Sequence, residues 1–456
     1  MRREVALVAR AARGARNAFA VLAGALEAAG LLGKGVRMYV TEDDPLPHAL
    51  RLEEKGLRVA VLYGVASHSF VDLAGELEAV ASRYPVMVGG PHAEAAYWQV
   101  LRLGAKAAVV GDGEAAVVGF AKYVMGEADL KDVPNIAYRD GERFRVSRID
   151  VVDLDSYPAY SRTLSLYPPI EIMRGCLYSC KFCQVPWMFK KQVRFRSVER
   201  VVEAAEAYVR AGIRRIRFVA PIGFAYMSTK PGEPNVDAIE RLLKGVRGVG
   251  GEPYLGTFPS EARPEYVTRE VLEVVKRYAA NRRVAIGLQS GDERVLALSL
   301  RGHGVEEVLE AVKLTVSMGL GAVVDMIFGM PGEDEEAVKR TVEVMFKLAR
   351  MGARLRLHTF MPLPGTPFAR QRPRPIHPAY RAAVRKLIGK GVIEGDWEEQ
   401  ERLAVKIYCT TAADPAPTPH PKPLAGDEGL CRGVWRHMER TTNAYRGALG
   451  VSSGGL

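Results

Sequence analysis

The sequence predicts an α/β protein: a doubly wound parallel sheet, then an open partial (β/α)6 barrel, then a small helical C-terminal extension. Three observations predict it. Short β-rich runs recur along the chain, and amphipathic stretches of helical period separate them. The rhythm breaks once, at "VVDLDSYPAYSRTLSLYPP", where prolines and short polar residues mark a boundary. At 456 residues the chain is also too long for one ordinary domain. The expected spans are 1–132 for the first domain, 133–168 for a hairpin and linker, 169–372 for the barrel and 373–456 for the extension.

In the first part, "EVALVAR", "VRMYV", "RVAVLYGV", "VMVGG" and "AAVVG" read as strands. Helices are expected at Ala18 to Leu32, along "FVDLAGELEAVASRY" and near Ala93 to Leu103. A sheet of this kind keeps its ligand crevice beyond the carboxyl ends of the strands. Those ends carry "ASHS" (Ala66 to Ser69), "GGPHAE" (Gly89 to Glu94) and "GDGE" (Gly111 to Glu114). "NIAYRDGERFRV" is a hairpin turning at Asp140 and Gly141. The barrel strands are "IEIMRG", "RIRFVA", "PYLGTF", "RVAIGLQ", "AVVDMIFG" and "RLRLHTF". A charged helical segment follows from Ile376; Ala413 to Gly426 is proline-rich and expected to be extended, and the last residues to be a short amphipathic helix with a disordered Gly/Ser end.

Hydrophobic residues make up 48% and charged residues 26%, the balance of a soluble globular protein, and no apolar run is long enough to span a bilayer. The apolar N-terminal stretch contains Glu27 and reads as a buried helix face rather than a secretion signal, so a cytoplasmic location is expected. The net charge of +11 is spread among interleaved acids, which favours a solvated, ion-paired surface over a nucleic-acid-binding face. Only "MFKKQVRFR" (Met188 to Arg196) is strongly basic locally.

That basic run follows "MRGCLYSCKFCQVPW", which holds Cys176, Cys180 and Cys183 at C-x-x-x-C-x-x-C spacing. Structural zinc sites use four closed ligands, and no second pair follows here. A [4Fe–4S] cluster held by three thiolates keeps one iron open. The trio follows the first barrel strand, at the end where barrel active sites are built, which favours a catalytic cluster. Cys409 and Cys431 show no ligand spacing and are expected to be buried or free thiols, five cysteines being too few for a disulfide framework.

The spacing, with Phe182 before the last cysteine, resembles the radical S-adenosylmethionine (SAM) enzymes. "GTFPSEARPE", "IGLQSGDERVL", "DMIFGMPGEDEE" and "HTFMPLPGTP" extend the resemblance to successive barrel-strand ends. It implies that SAM fills the open iron position and that the reduced cluster cleaves it to a 5′-deoxyadenosyl radical. It further implies that Ser260 and Glu261 line the cofactor pocket, that Gln289 and Ser290 contact the SAM ribose or carboxylate, and that Gly329 admits the adenine. The superfamily's Gly-Gly-Glu is replaced by "VAPIGFAYMS", where Gly223 would permit close backbone approach. His358, at the catalytic end of a barrel strand, is the weak candidate for acid–base work; His92 is the alternative.

"VMVGGPHAEAAYWQVLRLGAKAAVVGDGE" is similar to the Rossmann-like cobalamin-binding domain that precedes many such barrels. The resemblance implies Gly89 and Gly90 against the cobalamin nucleotide tail, Ser67 and Ser69 as its hydrogen-bond donors, and Glu114 at the domain junction. The Asp-x-His-x-x-Gly motif is absent; "YVTEDDPLPHAL" has only His48. The implied activity is cobalamin-dependent methyl transfer to an unactivated carbon of a small-molecule, lipid or other substrate, with ferredoxin or flavodoxin as electron donor. The alternatives are a tRNA-modifying enzyme of the methylthiotransferase type and a non-enzymatic iron–sulfur or cobalamin carrier. The methylthiotransferases carry three further cysteines near the N-terminus, and this chain has none before Cys176.

Overall fold

The computed structural model describes residues 4–12, 14–411, 429–434, 436–437 and 440. Its contacts divide the chain into two compact units: residues up to Pro168 with those from Val405 onward, and Pro169–Ala404.

In the first unit β1 (Val5–Arg10), α1 (Arg16–Ala28), β2 (Val36–Thr41), α2 (Leu46–Glu54), β3 (Arg58–Gly64), α3 (Ser67–Ala81) and β4 (Val86–Gly89) alternate. They are followed by α4 (Pro91–Ala95), α5 (Tyr97–Arg102), β5 (Ala107–Val109), α6 (Gly113–Met125), β6 (Ile136–Asp140) and β7 (Arg143–Val146). The sheet order is β2-β1-β3-β4-β5-β6-β7. The first five strands are parallel and the last two antiparallel. Apolar clusters cover both faces, so β1 and β3 read as continuous apolar runs rather than alternating ones.

Two local expectations change. The helix expected over Ala93 to Leu103 is split into α4 and α5, because Ala96 leaves helical geometry at φ −141°, ψ 44°. The hairpin, expected to follow the first domain within 133–168, adds to that domain's sheet: β6 pairs with β5 and extends it. Asn135, at φ 58°, fastens it: its Nδ2 donates to the Asp112 and Asp150 carbonyls at 2.9 Å, and its Oδ1 accepts from Asp150 N at 2.6 Å.

The second unit begins with β8 (Ile170–Glu171), β9 (Met173–Arg174), α7 (Val185–Met188) and β10 (Arg194–Phe195). There follow α8 (Val198–Arg210), β11 (Arg215–Val219), α9 (Val236–Gly248), β12 (Glu252–Tyr254), α10 (Arg269–Tyr278), β13 (Arg283–Gln289), α11 (Glu293–Leu298) and α12 (Val305–Ser317). The series closes with β14 (Gly321–Phe328), α13 (Glu335–Arg350), β15 (Arg354–Thr359), α14 (Pro378–Ile388), β16 (Ile393–Glu394) and α15 (Trp397–Thr411), whose second half belongs to the first unit. Parallel sheets β8-β11-β12 and β13-β14-β15-β16 are joined by a bridge between Ala262 and Ile286, forming an open barrel with a short extra strand, β16. Ser197, Asn235, Thr268, Asp292 and Asp334 each cap the helix that follows with a side-chain oxygen. The helices therefore start shortly after turns the sequence encodes locally, and the strand-end loops collect at one rim.

Cys409 and Cys431 are joined as a disulfide with Cα atoms 5.3 Å apart, so the reading of two separate thiols is corrected. Both are buried: Tyr408 and Val405 on α15 pack with Leu430 and Val434 of the helical residues 429–434, which brings the two sulfurs together. The proline-rich stretch Ala413 to Gly426 and the Gly/Ser end lie outside the described residues. Among those described, no helix is long and apolar enough to cross a membrane.

Candidate active site

The three cysteines occupy the connection between β9 and β10, which pair antiparallel and clamp its two ends. Gly175 makes the clamp possible. Its φ is +85°, and a Cβ there would lie 1.9 Å from the Gln192 carbonyl. Cys176 and Cys180 are buried, Cys183 is half-buried, and none of them forms a disulfide. Burial raises the Cys176 thiol above its ordinary range and pushes Cys183 up to about 12. Bare thiolates are thus disfavoured here, and a cationic metal group would reverse that balance.

The trio lines a cavity of about 200 Å³ together with Phe182, Glu261, Gln289 and Asp325. Gln289 ends β13 at φ +79°, where the pairing with β14 shifts register, and its Oε1 is buried without a partner. A strained residue with an orphaned acceptor facing a cavity is the pattern of a ligand contact. Phe182, between Cys180 and Cys183, also packs against the buried cluster of Val295, Met330, Ala337, Phe360 and Phe368. Pro221 and Ile222, rather than Gly223, line the cavity where the Gly-Gly-Glu would stand.

Four implied residues are engaged elsewhere. A Cβ at Gly223 would lie 2.3 Å from the Ser260 carbonyl, so that glycine serves the approach of two loops. Ser260 Oγ donates to the Thr257 carbonyl, and Ser290 Oγ accepts from Asp292 N; neither side chain lines the cavity. Gly329, at φ +74°, donates to Glu333 Oε2 and is a turn residue.

At the cavity wall the expected residues Glu261 and His358 join a polar network whose other members, Asp325, Arg356 and Gln400, the sequence did not single out. Arg356 on β15 bonds Asp325 on β14, and its Nη2 reaches Glu261 Oε1 at 2.9 Å. His358 Nε2 lies 3.5 Å from Asp325 Oδ1, which supplies the carboxylate partner absent from its sequence neighbourhood. Its Nδ1 lies 3.2 Å from Gln400 Nε2. Burial opposes ionisation of Asp325, but the His358 and Arg356 contacts outweigh it and hold its pKa below the usual range. Burial, reinforced by Asp325, raises Glu261.

In the first unit the candidate residues divide differently. A Cβ at Gly90 (φ +102°) would lie 2.6 Å from the Val65 carbonyl, and one at Gly89 would touch Val109. Both glycines thus face neighbouring protein. Ser69 Oγ donates to the Ala66 carbonyl. Ser67, in the first turn of α3, is buried with its Oγ unpartnered and fits a polar ligand. Glu114 is buried in the first turn of α6. His92 is buried, stacked on Phe70 at 3.9 Å, and burial pushes it down to about 3, which removes it as an acid–base group near neutrality. His48 lies on α2.

Residues 170–345 match the radical SAM superfamily model and residues 4–121 the B12 binding domain model. A putative methylthiotransferase of Methanocaldococcus jannaschii is 31% identical over 237 residues, covering 50% of this chain and 49% of its own length. The tRNA-2-methylthio-N(6)-dimethylallyladenosine synthase of Citrifermentans bemidjiense is 26% identical over 232 residues, 50% of this chain and 52% of its own. The chain spans about half the length of these two curated relatives. In fold it is similar to the radical S-adenosylmethionine methyltransferase TsrM from Kitasatospora setae, solved with cobalamin and a [4Fe–4S] cluster (TM-score 0.66, 16% identity, 97% of this chain and 100% of that one). It is also similar to the cobalamin-dependent S-adenosylmethionine radical enzyme OxsB (TM-score 0.64, 15% identity, 97% of this chain and 72% of that one). The chain carries a B12 binding domain followed by a domain of the radical SAM superfamily.

Proposed function

We propose that this protein is a cobalamin-dependent radical SAM methyltransferase that acts on carbon of a small-molecule substrate. The observation that carries the reading is the presence of both domains in one chain, the second with three unpaired thiols around a cavity. When bound, the [4Fe–4S] cluster, SAM and cobalamin together supply reductive sulfonium cleavage and a transferable methyl group.

In this reading Cys176, Cys180 and Cys183 hold the cluster. Gln289 Oε1 accepts from the polar end of SAM, and Phe182 shapes the adjacent wall. Glu261 and Asp325 offer carboxylates where the absent Gly-Gly-Glu would have held the amino group. His358, its Nε2 paired with the Asp325 carboxylate and its Nδ1 facing Gln400 Nε2, would serve as a positioning group that holds Asp325 at the cavity wall. In the first unit Ser67 Oγ donates to cobalamin; Gly89 and Gly90 shape the strand end. The electron comes from a low-potential carrier such as ferredoxin or flavodoxin, in the cytoplasm.

Methylthiotransferase-type tRNA modification is the second reading, favoured by the 31% and 26% identical relatives. The lack of any cysteine before Cys176 weighs against it. The test is anaerobic turnover with dithionite, SAM and hydroxocobalamin, followed by mass spectrometry of the nucleosides. The methyltransferase reading expects S-adenosylhomocysteine and 5′-deoxyadenosine, both dependent on cobalamin. Products unchanged by omitting cobalamin would overturn it.

A further inference from the structure

Two buried arginines converge on one sulfur of the trio. Arg301 Nη1 lies 3.6 Å from Cys180 Sγ, and Arg263 Nη1 lies 3.8 Å from the same atom. Both side chains are held from several sides. Arg301 Nη2 donates to the Gly287 carbonyl at 2.9 Å, and a Cβ on Gly287 would lie 2.6 Å from that nitrogen. Only glycine therefore admits the guanidinium at this point on β13. Arg263 Nη2 donates to the Arg301 carbonyl at 2.6 Å, its Nε pairs with Glu265 Oε1 at 2.6 Å, and its plane stacks 3.5 Å from the centre of the Tyr178 ring.

The charges do not balance within the protein. Among the described residues Arg263 has Glu265, whereas Arg301 makes no carboxylate salt bridge and its Nε finds no acceptor. Buried cations require paired anions, and the group these two face is Cys180 Sγ.

We propose that Arg301 and Arg263 are positioning residues for the iron–sulfur cluster, directing positive charge and N–H groups at the Cys180 sulfur so that the reduced cluster is stabilised and its reduction potential raised. This rests on the reading that the three thiols hold a [4Fe–4S] cluster. Reduction adds one electron and hence one negative charge, so cations beside a ligand sulfur favour the reduced form. Cys180 is the ligand so treated; no arginine lies at hydrogen-bond distance from Cys176 or Cys183 among the described residues.

The test uses the full chain, reconstituted anaerobically with iron and sulfide. The cluster is poised with dithionite and mediators and read by electron paramagnetic resonance, without turnover. At the potential that half-reduces the parent cluster, Arg301→Gln and Arg263→Gln are each expected to retain about four irons. Each should lower the reduced-to-oxidised ratio at least tenfold, a midpoint shift of about 59 mV for one electron. Should a glutamine variant lose iron, the matching lysine variant, which keeps the charge, is expected to restore both iron and the parent ratio. Four irons with an unchanged ratio in both glutamine variants overturns the proposal, as does loss of iron in the lysine variants too. Absence of iron from the parent chain would instead overturn the cluster reading itself.

Discussion

The carboxyl ends of the strands are used differently in the two units. In the first, Gly89, Gly90 and Ser69 mainly serve the protein's own packing, leaving Ser67 Oγ as the unpartnered donor. In the second, three thiols, the Gln289 acceptor and two carboxylates line one cavity, and Gln289 holds a positive φ of 79° there. A glycine at a strand end thus says that something approaches closely, without saying whether it is ligand or protein. A cysteine trio at fixed spacing is more specific, because three thiols gathered in one loop supply ligand chemistry that packing does not require.

The sharpest way to break this contrast is at the cysteines. Cys176, Cys180 or Cys183→Ala is each expected to abolish 5′-deoxyadenosine formation while corrinoid binding by the first unit persists. A variant at any of the three with normal nucleoside yield would remove that residue from the site. The next largest effect concerns the clamping and packing glycines. Gly175→Ala and Gly90→Ala each place a Cβ against a carbonyl at positive φ, and each should destabilise its own unit by about 2 to 4 kcal/mol in urea unfolding. An unaltered unfolding midpoint for Gly90→Ala would return that residue to a ligand role.

A third prediction follows the turn after β14. Glu333 accepts from Gly329 N and from the Tyr380 hydroxyl, both at 2.9 Å, and burial pushes its pKa up to about 7. The folded state therefore holds this proton more tightly than the unfolded chain. Its contribution is complete below the ordinary carboxylate range and is lost as pH rises from about 4.5 to about 7, on the order of 1 to 3 kcal/mol. Glu333→Gln should flatten that slope; a slope equal to the parent's contradicts the assignment. The smallest effect is expected at Ser67→Ala. It should weaken cobalamin binding about threefold to tenfold with no change in stability, since the Oγ makes no internal bond.

The strand rhythm and the cysteine loop were legible because both are local: β propensity, capping residues and C-x-x-x-C-x-x-C lie within a few residues of one another. What was not legible depends on neighbouring strands. Asp325 pairs in register with Arg356, and Ile327 with His358, so the carboxylate partner of His358 lies one strand away and 33 residues back in sequence. Arg301 is separated from Cys180 by 121 residues and Arg263 by 83; only Gly287, at an otherwise bulky strand position, hinted that a side chain needed room. The disulfide escaped notice because spacing cannot show that two helices bring Cys409 and Cys431 within 5.3 Å. The hairpin was correctly placed at its turn, but its membership of the sheet depends on the exposed edge of β5.

The most direct test of the central claim is composition. The full chain, purified anaerobically with hydroxocobalamin and reconstituted with iron and sulfide, is measured by absorption spectrum and iron assay. About four irons and one retained corrinoid per chain are expected, with the corrinoid unaffected by Cys→Ala changes at the trio. Four irons with no retained corrinoid would contradict the claim and leave a radical SAM enzyme whose first unit serves another purpose.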